Sequence, residues 1–165
     1  MTRASARAGA AGLALTLGVA ALAFVFDRAV KWAVVEVLGL KTRLVIDVAP
    51  PWVTLLMAWN RGANFGIGRG MAAWGWVAIA LAISAGLLIW SLRIASPLQR
   101  AAIGLLVGGA LSNALDRLVY GAVADFFNVT CCGLANPFAF NPADIFIFLG
   151  ALGLILAPRS DNQEA

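Results

Sequence analysis

The chain contains no histidine, and charge of either sign is scarce. Only 12% of its 165 residues are Asp, Glu, Lys or Arg, about half the share in an ordinary soluble domain. Without an imidazole there is no Ser-His or Cys-His catalysis and no histidine-based zinc site. The two cysteines, Cys131 and Cys132, are adjacent. That spacing suits neither a zinc site nor a disulfide framework, and it reads as packing or surface thiols. No dense basic run exists either. The net charge of +4 is scattered through loops, which points to membrane topology and lipid headgroups rather than to nucleic acid. Polar chemistry must come from a few carboxylates, amides, lysines and arginines.

Hydrophobic residues fill the rest, at 62% of the chain. Four uncharged runs place it among integral membrane proteins. The first, Ala8 to Phe26, follows Arg3 and Arg7 and imitates a signal peptide. It is longer than a usual signal core, lacks a small-x-small site and continues helically through Asp27 to Val37, so it is expected to stay as a span. The second is Gly70 to Leu92, with Trp74 and Trp76 near one end and Trp90 near the other, as interfacial aromatics sit. The third is Ala101 to Leu115, continuing to about Gly121, and the fourth is Ile145 to Ala157, closed by Pro158. The expected spans are about 12–36, 71–92, 100–120 and 142–158, in a single domain. Between the first two runs, the β-rich residues around Pro50 and Pro51 predict two short strands. Gly62, Gly66, Gly68 and Gly70 then punctuate a loop. This β element, about 41–69, is too polar to span and is expected to lie on the membrane surface. Four spans put both termini on one side, with Arg3, Arg7, Arg93, Arg100 and Arg159. Lys41, Arg43, Arg61 and Arg69 lie on the other, which leaves orientation open.

Ionisable groups within apolar segments are functional candidates. Asp27 and Lys31 are four apart and fit an internal ion pair. In GGALSNALDR, Gly109, Asn113 and Asp116 share one helical stripe, and Gly104, Gly108 and Gly109 offer a neighbouring helix close approach. Asn113, Asp116 and Arg117 can form a polar clamp between helices. Arg117 can also stay free to bond a ligand's carbonyls. Asp144 follows Asn141 and Pro142, an N-cap and first-turn pattern that alone explains an acid there. Asp125, in VADFFN, has no such explanation. Two carboxyls brought together share a proton, and such a pair can activate water and polarise a carbonyl without help from histidine or metal. Two other classes compete. A small transporter or proton-relay protein would spread Asp27, Asp116, Asp125 and Asp144 through membrane depth. A structural subunit would tolerate loss of Asp125.

Five ordered blocks decide more: FDRAVK, WNRGANFG, GGALSNALDR, VADF and FNPAD. Together they resemble the lipoprotein signal peptidase (signal peptidase II) family over nearly the whole chain. The resemblance implies an all-α membrane fold of four transmembrane helices, with a small periplasmic β-cradle and a short periplasmic helix. It implies a multi-pass protein of the bacterial inner membrane with cytoplasmic termini and a site near the periplasmic face. The implied activity is that of an aspartic endopeptidase. It removes the signal peptide from diacylglyceryl prolipoproteins, cutting before the lipidated cysteine.

Residue by residue, the resemblance makes Asp125 and Asp144 the catalytic pair. It gives Asn60, Gly62, Asn113, Arg117 and Asn141 to substrate binding, and Asp27, Lys31 and Asp116 to support. It implies no metal and no cofactor. Partners would be prolipoprotein, membrane lipid and globomycin-type inhibitors, with no nucleic acid and a monomeric protein. Two residues depart from the family pattern. Asn64 stands where a small residue is usual, and Ser112 replaces a common glycine. NVTCCGLANP, between the two aspartates, has no counterpart to carry over.

Overall fold

The computed structural model describes residues 3–62, 70–131 and 136–157, with side chains from Gly12 onward. Helix α1 runs Arg3–Lys31 and passes into a π-helical stretch, Trp32–Val37. A short helix α2 (Leu40–Arg43) leads to strands β1 (Val45–Ala49) and β2 (Val53–Asn60). Helix α3 (Ala73–Ser91), helix α4 (Pro97–Tyr120), strand β3 (Val123–Val129) and helix α5 (Pro142–Leu156) follow.

Three helical segments are long and apolar enough to cross a membrane: Gly12–Val37, Ala73–Ser91 and Pro97–Tyr120, of 26, 19 and 24 residues. Helix α5 is apolar but has only 15 residues. Helix α3 is apolar on every side and buries only Val77, Ser84 and Ser91, as a helix facing lipid does.

Helix α4 is the central element and packs against α1, α3 and α5. Its glycines explain how. A Cβ on Gly104 would stand 2.7 Å from the Thr16 carbonyl oxygen of α1, and one on Gly108 would strike the Ala20 carbonyl. On the other side, a Cβ on Gly109 would stand 2.6 Å from the Ala143 carbonyl oxygen of α5. The small-residue surface seen in the sequence therefore serves two partners, not one. Ala20 of α1, Ile103 and Val107 of α4 and Ile94 of the α3–α4 connection form an apolar core, against which Leu87 and Leu88 of α3 also pack.

The sheet is antiparallel, in the order β1-β2-β3. Its inner face rests on the end of the first span. Leu55, Ala124 and Phe126 pack there with Val34, Val35 and Leu40. The two expected strands are β1 and β2. The third enlarges the small sheet that was expected and comes from VADFFNV, where no strand was anticipated. Gly121 makes it possible. At φ 73° it closes α4 by donating to the Arg117 carbonyl, and the chain turns directly into β3.

The expected short helix over the site has no counterpart in α2, which packs on β1, β2 and the π-helical stretch. The glycine loop at 63–69 lies outside the described residues, as does Asn64. The thiol reading is corrected at Cys131, which is disulfide-bonded. Adjacency argues against a brace between distant segments but not against an oxidised sulfur. Cys132 lies outside the described residues.

Candidate active site

Asp125 sits in the middle of β3 and Asp144 on the first turn of α5. They meet because the chain returns after its excursion past β3. Phe127 and Phe140 form an antiparallel bridge, with backbone bonds of 2.8 and 3.0 Å. Asn128 secures the return by donating to the carbonyls of Asn136 and Phe138, at 2.7 and 2.8 Å. Asn141 is thereby set beside Asp125.

Asn141 is fully buried and touches both acids. Its Nδ2 donates to Asp125 Oδ1 at 2.5 Å. Its Oδ1 accepts from the Asp144 backbone N–H at 3.1 Å, and its own N–H donates to Asp144 Oδ2 at 3.2 Å. This is a reciprocal capping box, with Pro142 in the first turn. The capping expected for Asp144 is present, and the same cap holds the second acid.

The remaining carboxylate oxygens are also held. Asn60, at the end of β2, donates from Nδ2 to Asp125 Oδ2 at 3.1 Å. Asn113 of α4 donates from Nδ2 to Asp144 Oδ1 at 3.0 Å. Gly62 is fixed from two sides. Its N–H donates to Asn60 Oδ1 at 3.1 Å, and its carbonyl accepts from the Arg117 guanidinium at 2.8 Å. Arg117 lies over the Trp76 ring, 5.6 Å from its centroid, and also donates to the Asn113 carbonyl. Neither Asp125 nor Asp144 has an ion-pair partner among the described residues.

Burial pushes the Asp125 carboxyl from the ordinary aspartate range up to about 7, and the neighbouring Asp144 charge adds to the rise. The amides of Asn141 and Asn60 and the Lys31 charge oppose it. Near neutral pH, Asp125 is therefore poised to hold or release a proton.

A charged cluster stands behind the acids. Lys31 Nζ lies 2.9 Å from Asp27 and 2.7 Å from Asp116, both fully buried. It also donates to Asn113 Oδ1 at 2.9 Å. The expected Asp27–Lys31 pair is one arm of this cluster. The sequence reading overlooked Arg28, which pairs with Asp116. Its signal was present, as a second cation in the FDRAVK block. Ser112, noted only as a departure, donates to Asp27 Oδ2 at 2.6 Å.

All seven residues suggested for catalysis and substrate binding thus share one network, and the three supporting residues adjoin it. Known proteins give this network a context. A sequence profile of signal peptidase (SPase) II matches residues 19–158. The chain belongs to the signal peptidase II family. Among its relatives, the lipoprotein signal peptidase of Methylobacterium radiotolerans is 39% identical over 164 residues, covering 94% of this chain and 88% of the relative. That of Aeromonas hydrophila is 42% identical over 155 residues, covering 90% of each. A solved bacterial membrane enzyme superposes with a TM-score of 0.72 at 27% identity, over 88% of this chain and 93% of its own. Membership in signal peptidase II makes the chain a membrane protease of the aspartic type and sets aside the transporter alternative.

Proposed function

We propose that Asp125 and Asp144 are the catalytic pair of an endopeptidase that removes the signal peptide from diacylglyceryl prolipoproteins. Cleavage would fall before the lipidated cysteine. One observation carries the reading: a single buried residue, Asn141, binds both carboxyl groups, that of Asp125 through its side-chain amide and that of Asp144 through its backbone N–H. A purely structural pair of acids would be neutralised by cations, and here the nearby cations are engaged elsewhere.

In this reading Asp144 acts as the base. Asn113 and Asn141 hold its two carboxylate oxygens in place from Nδ2 and from the backbone N–H. It takes a proton from water as the water attacks the scissile carbonyl. Asp125, protonated near neutrality, hydrogen-bonds the carbonyl oxygen and stabilises the charge that develops there. The tetrahedral intermediate then collapses. The C–N bond breaks, and the amide nitrogen leaves with a proton returned by Asp144. Arg117 and the Asn60–Gly62 turn lie where a peptide backbone can be held. The Arg117 Nε is buried with no hydrogen-bond partner among the described residues, which leaves a donor for a peptide carbonyl.

The setting belongs to the same proposal. The four helices α1, α3, α4 and α5 span the bacterial inner membrane as one domain, with cytoplasmic termini. The sheet and the acids then lie at the periplasmic side. Diacylglyceryl chains stay in lipid while water arrives from outside. The protein acts as a monomer and is blocked by globomycin-type inhibitors. The test is processing of a purified diacylglyceryl prolipoprotein, read as a gel shift. Asp125→Asn and Asp144→Asn should each abolish the shift in protein that remains folded, and EDTA should leave the wild type unaffected. Cleavage retained by either variant would overturn the pair.

A further inference from the structure

The residues immediately before the two acids are Ala124 and Ala143, and both have their backbone N–H captured from behind. The Ala124 N–H donates to Asp116 Oδ2 at 3.2 Å. The Ala143 N–H donates to Asp27 Oδ1 at 2.8 Å. The two captors sit on different helices, α4 and α1, and Lys31 lies between them. Its ammonium reaches Asp27 at 2.9 Å and Asp116 at 2.7 Å. Its third contact, Asn113 Oδ1 at 2.9 Å, leaves that amide's Nδ2 to face Asp144. An ammonium has three N–H donors, and all three are directed to this network. Lys31 is 2% exposed.

We infer that Lys31 is a positioning residue that sets the separation and mutual orientation of the two catalytic acids. Each acid is tied to the ammonium through a buried aspartate and the backbone N–H beside it. Asp144 is tied a second time through Asn113. Arg28 occupies the other Asp116 oxygen, so the Asp116 arm cannot swing away when Lys31 is engaged. A plain ion pair between α1 and α4 would need only one carboxylate. Here two are used, one for the strand and one for the helix that present the acids. The inference rests on the catalytic assignment of Asp125 and Asp144.

The test compares purified Lys31→Met with a paired variant, Asp27→Asn/Lys31→Met, in the prolipoprotein cleavage assay. The single variant leaves Asp27 buried without its cation. The paired variant removes one charge of each sign and keeps an acceptor for the Ala143 N–H, so it preserves the fold if the single variant does not. Both should lose about 100-fold in kcat per folded molecule, the scale expected when reacting groups are misplaced by about 1 Å. Both should keep KM within about threefold, because Arg117 and the Asn60–Gly62 turn, which hold the peptide in the proposed reading, make no hydrogen bond with Lys31. Near wild-type kcat in either variant overturns the inference, as does a KM effect at unchanged kcat. Asp125→Asn and Asp144→Asn, run alongside, isolate the underlying assignment: if they cleave, that reading fails first. If they are inactive while the Lys31 variants are unimpaired, only the role of Lys31 fails.

Discussion

Asp125 binds its proton through burial in β3 and through the charge of Asp144, and this has a signed consequence for pH. Its carboxyl is raised to about 7 in the folded protein, whereas an unfolded chain releases that proton near 3.9. The folded state therefore binds more protons between those values. Its contribution to stability is complete below about pH 4 and is lost as pH rises through about 7. Thermal unfolding should show wild type losing ground to Asp125→Asn across that window. In the proposed mechanism the protonated acid polarises the carbonyl, so the rate of cleavage should also fall as pH rises past about 7. Asn141→Ala tests the other side of the pair. Loss of the cap should cost about 1 kcal/mol, and cleavage should fall far more than that loss of stability explains, since Asp125 loses the amide that ties its carboxyl to the first turn of α5. These roles were partly legible in the sequence. Asp144 announced its cap through Asn141 and Pro142, and Asp125 stood out because nothing nearby accounted for it. The Lys31 contacts to Asp116 and Asn113 were not legible. They join residues more than 80 positions apart, and an i,i+4 pattern reports only the local arm.

Elements place these residues, and the α4–α5 contact is the most demanding. Gly109 faces the Ala143 carbonyl at 2.6 Å and Gly150 faces the Ala102 carbonyl at 2.6 Å, measured from the Cβ each would carry as alanine. Both Gly109→Ala and Gly150→Ala must push the helices apart, at about 1–3 kcal/mol each for overpacking. Only Gly109 lies beside the residue that precedes Asp144. Gly109→Ala should therefore depress cleavage by the folded enzyme at least tenfold more than Gly150→Ala does. Thermal melts with matched activity assays would check it. The glycine stripe was visible as i, i+4 spacing, but its division between α1 and α5 was not, because one stripe does not reveal how many helices it meets. Strand β3 was missed for a related reason. Its seven residues follow a helix with no polar loop between, and only the αL turn at Gly121 separates the two. The short apolar run was ambiguous until its partner strand was known.

Across the whole molecule, hydropathy carried the reading furthest. The long segments at Gly12–Val37, Ala73–Ser91 and Pro97–Tyr120 lie close to where uncharged runs placed them. What hydropathy could not give was the order of helices around α4 or the sheet register, since apolar side chains face lipid and protein alike. Trp32 and Trp74 are 64% and 72% exposed, at the ends of the first two spans nearest the sheet. In a variant retaining only Trp74, vesicle lipids brominated near the headgroup should quench its fluorescence more strongly than lipids brominated at the chain ends. The reverse order would move that end of α3 away from the interface.

Helix α5 has 15 residues, a length of about 22 Å in a hydrocarbon slab of about 30 Å. With α5 spanning as proposed, the bilayer must dimple to meet such a stub, or the stub must sink one end below the headgroups. Either response shortens the path between the aqueous phase and the acid on the first turn of α5. On the proposed topology and catalytic pair, thicker host membranes would deepen that distortion and tax turnover, which would make the catalyst sensitive to the lipid in which it works.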